Sequence, residues 1–96
     1  MPTKEEYASR FDGVTDPIMS GRYKNRADIR RLAASARKAV REERNTCTRE
    51  ISGRWKEKFA EVKKENDEWQ KALDQAFREE LQMIDDRIGD MEEALD

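Results

Sequence analysis

The chain has 96 residues, 20 of them Lys or Arg, 22 Asp or Glu, one Cys and no His; 44% of it is charged and 35% hydrophobic. That length holds one small domain at most, and an apolar share well below the roughly half usual for globular domains leaves a core that is thin or shared between chains. A single cysteine without histidine excludes a disulfide framework and a structural zinc site.

No apolar run approaches the ~20 residues that cross a bilayer, and the N-terminal stretch MPTKEEYASRF lacks a signal peptide's apolar segment, so no membrane contact is expected. The expected location is the cytoplasm, or an assembly formed there. Cys47 is then a reduced thiol, read as a small buried residue because no histidine is present to activate it.

The first element is a short helix. Thr3 followed by Glu6 forms a capping box, and Tyr7 and Phe11 lie four apart on one face of a segment that ends near Gly13. The stretch GVTDPIMSGRYK is rich in turn formers and reads as a linker, with Asp16-Pro17 able to open a single further turn. Residues 1–25 therefore form a short N-terminal helix and linker.

Asn25 stands as an N-cap, with Asp28 at the third helical position where its charge meets the positive end of the helix dipole. A long helix should start at Arg26 and run through 26–96. Along it Ile29, Val40, Ile51, Val62, Leu73, Ile84 and Leu95 recur every eleven residues. Ile, Val and Leu fill only 12 of the 96 positions, so seven in one register indicate a pattern. Trp55, Phe77 and Ile88 lie four residues after members of this series, and Trp69 lies seven after. Together these residues form a self-association stripe.

Eleven residues in three turns give about 3.67 residues per turn, the period of a nearly straight, slightly right-handed coiled coil. An uninterrupted helix would be about 105 Å long at ~1.5 Å per residue. The stripe of a lone helix would be wet, so it must be covered. The expected fold is all-α: the short helix followed by a long hendecad helix in an antiparallel coiled coil. The alternative is a hairpin or small bundle that folds back near Gly53, where Asn45, Thr46, Thr48, Ser52 and Gly53 are weak helix formers. Against it stands the unbroken phase from Ile51 to Val62.

Charge supports antiparallel pairing or a hairpin, because residues 20–58 carry 13 basic and 5 acidic side chains and residues 59–96 carry 5 basic and 13 acidic. Among polar positions near the stripe, Lys58 and Glu80 read as edge residues, and Asn66 as either an edge residue or a register-setting polar layer. The N-terminal helix, with Tyr7 and Phe11, would either pad the end of the coiled coil or dock on a second protein; Tyr7, Phe11, Arg30, Arg37 and Arg41 are candidate partner contacts.

The run RRLAASARK is similar over nine residues to the basic region of leucine-zipper transcription factors. However, Arg30 stands about where that family has an asparagine, and no leucine heptad follows. Nucleic-acid binding through the basic half, 22–58, is accordingly an alternative that is not favoured.

Adjacent acids such as Asp85-Asp86 point about 100° apart on a helix, and no glycine spacing matches a phosphate loop. No catalytic constellation, cofactor site or metal site is expected. The expected function is non-enzymatic: a structural, scaffolding or adaptor protein that associates with itself as an antiparallel homodimer or higher oligomer, and with a second protein. A small helical regulator or inhibitor that occludes another macromolecule is the alternative.

Overall fold

The computed structural model describes residues 2–54 and 63–95, and all the regular structure among them is helical. The elements are α1 (Lys4–Ala8), a 3-10 turn (Ser9–Phe11), α2 (Asp16–Met19), α3 (Arg26–Arg54) and α4 (Lys63–Leu95).

Local chemistry sets the N-terminal elements. The Glu6 amide donates to Thr3 Oγ1 at 3.2 Å, which satisfies one of the free donors that open α1. The segment then tightens into the 3-10 turn and leaves it through Gly13, whose φ of 74° lies in the left-handed region open to glycine. Pro17 falls in the first turn of α2, where its missing N–H costs nothing. At the start of α3 the Asp28 amide donates to Asn25 Oδ1 at 3.0 Å, and the Asp28 carboxylate accepts from the Lys24 amide at 2.9 Å.

The single rod gives way to a hairpin. Helix α3 ends at Arg54, α4 starts at Lys63, and the two pack along each other antiparallel, so the Cα trace measures 56 × 17 × 15 Å. The weak helix formers do not break α3. Asn45, Thr46, Thr48, Ser52 and Gly53 all lie within it, because Cys47 and Ile51 on the same stretch are fully buried and tertiary packing outweighs propensity. The unbroken phase between Ile51 and Val62 carried no information about the turn: each helix of a hairpin needs only its own stripe.

Ion pairs mark the antiparallel register, with Arg37 to Asp85 at 2.7 Å and Arg44 to Asp74 at 3.2 Å. Gln70 Nε2 adds contacts at 3.4 Å to the Thr48 carbonyl and Ser52 Oγ. The charge asymmetry, expected to favour antiparallel pairing or a hairpin, acts here within one chain. The N-terminal segment forms a third layer that lies along the hairpin, running with α4 and against α3.

Candidate interaction surface

The apolar series faces inward. Ile29, Val40 and Ile51 on α3 and Leu73 and Ile84 on α4 are buried, as is Phe77, while Trp69, Ile88 and Leu95 are half-buried against the core. Trp55 and Val62, with Lys58, lie outside the described residues. The described members of the stripe predicted for self-association are buried or half-buried within one chain.

Tyr7 and Phe11, candidate partner contacts by sequence, are each 1% exposed. They anchor the N-terminal layer. Tyr7 packs against Trp69 with ring centroids 5.9 Å apart, and Phe11 meets Phe77 edge-on at 6.0 Å and 88°. Such aromatic pairs contribute roughly 0.5–1.5 kcal/mol each beyond their area burial.

Arg10 adds an ionic clasp, with Nε 2.8 Å from Glu43 and Nη1 3.3 Å from Glu50 on α3, and Asp16 lies 3.5 Å from Arg87 on α4. Burial, reinforced by the Glu50 carboxylate, pushes the Tyr7 phenol above its usual range. Arg10, Glu43 and Glu50 were not singled out from sequence. The signal was present in part, since Arg10 falls three residues after Tyr7.

Glu80 departs from its expected edge position. It is 8% exposed, seven residues after Leu73 and facing inward, and its Oε1 accepts from the Thr15 hydroxyl at 3.2 Å. The N-terminal segment, invisible to any periodicity in α4, covers it. Burial raises its carboxyl above the ordinary range, against the lowering effect of the Thr15 bond. Asn66 is half-buried, and its Oδ1 has no hydrogen-bond partner among the described residues.

Cys47 is fully buried, and burial pushes its thiol up to about 11. Among the described residues no group of three or more Cys, Asp or Glu is placed to hold a metal, and no helix is long and apolar enough to cross a membrane. An open groove of about 780 Å³ runs between α3 and α4, lined by polar and charged side chains such as Arg44, Thr48, Gln70, Lys71 and Arg78.

The accessible chemistry is therefore on the outside, and it is ionic. Met83, 57% exposed, is the exposed large hydrophobic among the described residues. Arg30, Arg41 and Arg49 are exposed on α3 and have no ion pair with a described residue. Arg37, the remaining arginine among the candidate contacts, is engaged by Asp85. On α4, Glu68, Glu79, Asp86, Asp90 and Glu93 are exposed on the side turned away from the core. Sequence reading named Arg30 and Arg41 but not Arg49 or these α4 carboxylates, whose outward placement requires knowing where the core lies. No known protein family, curated protein or solved structure matches this chain.

Proposed function

We propose that the protein is a non-enzymatic interaction protein of the scaffolding or adaptor kind, working through the charged outer faces of α3 and α4. One observation carries this reading: apart from Met83, the large apolar side chains among the described residues are buried or half-buried, and a basic face is left on one long helix and an acidic face on the other. A rigid block with two opposed charged faces suits the joining of surfaces of complementary charge. Among the described residues Met83 is the exposed large hydrophobic, so these faces present no apolar patch of the size that marks an obligate interface.

A regulator that covers an acidic surface is the second reading, supported by the exposed Arg30, Arg41 and Arg49, which have no ion pair with a described residue. Nucleic-acid binding is less well supported, because Arg37 and Arg44 already pair with α4 carboxylates. The test is capture of binding partners by the wild-type chain and by an Arg30→Glu, Arg41→Glu, Arg49→Glu variant. The charged-face reading expects capture to fail while circular dichroism stays unchanged. A folded variant that captures the same partners contradicts it.

A further inference from the structure

We propose that the occupant of the basic α3 face is a second copy of this chain, whose α4 lies antiparallel along it with Arg31, Lys38 and Arg49 opposite Asp86, Glu79 and Glu68. This proposal rests on the charged-face reading and names its partner.

The two rows of charge share one register. Residues 31, 38 and 49 are separated by seven and eleven positions, and residues 68, 79 and 86 by eleven and seven. Each of these intervals returns to the same helix face within about 20°, so each set forms a single straight row. All six side chains are exposed. Laid antiparallel, the two rows meet cation to anion at all three points.

The residues between the charged pairs agree. In the same alignment Ser35 falls opposite Gln82, Glu42 opposite Gln75 and Asn45 opposite Ala72, so no like charges stand directly across from one another along the rows. The alignment also lies within about one and a half helical turns of the register used inside the chain by Arg37–Asp85 and Arg44–Asp74. A neighbouring copy can therefore lie alongside with little axial offset.

Existing contacts of these side chains are local and exposed. Arg31 pairs with Asp28, Lys38 lies 4.0 Å from Glu42, and Gln75 and Gln82 each donate at 3.0 Å, to Glu79 and Asp86 respectively. Contacts of this kind exchange at little cost. With Met83 the exposed large hydrophobic among the described residues, the association is weak, electrostatic and sensitive to salt.

Sedimentation velocity on the full chain tests the proposal. In about 20 mM salt the sedimentation coefficient should rise with protein concentration, and in about 500 mM salt the chain should run as a monomer. Arg31→Glu, Lys38→Glu, Arg49→Glu and Glu68→Lys, Glu79→Lys, Asp86→Lys variants should each stay monomeric alone, and their mixture should associate. If a triple variant loses helicity, the single changes Arg49→Glu and Glu68→Arg replace them, since neither residue has an ion pair with a described residue.

A wild-type chain that is monomeric at low salt overturns the proposal, as does association that ignores salt or a mixture that stays apart. Such a chain that still retains duplex DNA or an acidic protein through Arg31, Lys38 and Arg49 overturns the second copy alone and leaves the charged-face reading intact. Charge-reversed, folded chains that keep every partner overturn that reading itself.

Discussion

The Thr15 hydroxyl donates to the Glu80 carboxylate at 3.2 Å inside the seam between the N-terminal segment and α4, where both residues are buried. Placing an acid there makes the seam sensitive to pH. Burial holds the folded-state pKa of Glu80 above its ordinary 4.5, so between these two values the folded chain binds more protons than the unfolded one. The contribution of Glu80 to stability is most favourable below about 4.5 and is lost as pH rises through the raised value. Glu80→Gln keeps an acceptor for Thr15 without the charge. It should raise Tm at pH 7 and change it little at pH 4, as read by thermal unfolding; an equal effect at both pH values contradicts this account.

Phe11 is a fully buried anchor of the N-terminal layer. Phe11→Ala should cost about 3–5 kcal/mol, and Phe11→Leu distinctly less, because the leucine retains most of the buried volume. Urea denaturation measures both. A Phe11→Ala chain as stable as wild type would mean that the N-terminal segment does not dock on Phe77.

Cys47 reports on opening of the core. With its thiol pushed up to about 11 and its sulfur inside the bundle, little thiolate is present at pH 8 and reagent access is closed. Labelling by a thiol reagent should proceed at the rate of unfolding and become fast in urea. Immediate labelling of the native chain contradicts the burial.

Ile51 and Leu73 test where the apolar stripe is satisfied. Each is at most 1% exposed, and an unpaired carboxylate at either site removes a large part of the ~5–15 kcal/mol that holds a domain folded. Ile51→Asp and Leu73→Asp should abolish helicity. Wild-type helicity in high salt should be unchanged on dilution, since folding is completed within one chain; helicity that falls on dilution would show that a second chain completes the core.

Much of this fold was legible because local chemistry governs it. Thr3 and Asn25 are caps by residue type and position, Asp16-Pro17 opens a turn, and Arg26 starts the long helix. Inward residues such as Ile29, Val40, Leu73 and Ile84 announce themselves by spacing. What remained hidden depends on contacts distant in sequence. The extent of α3 past Asn45 and Thr46 is set by the burial of Cys47 and Ile51, not by propensity. Glu80 looks like an edge residue until Thr15, far away in the chain, is laid over it. The charged rows emerge once the core direction of each helix is known, because only then is the outer face of each helix defined.

The fold-back of α3 on α4 is the central claim, and small-angle X-ray scattering of the size-fractionated chain in about 500 mM salt tests it most directly. The result predicted is the mass of one 11.3 kDa chain, with a maximum dimension set by the 56 Å Cα extent plus its side-chain shell. A particle of twice that mass with a dimension near 100 Å would contradict it, and would restore the single uninterrupted helix.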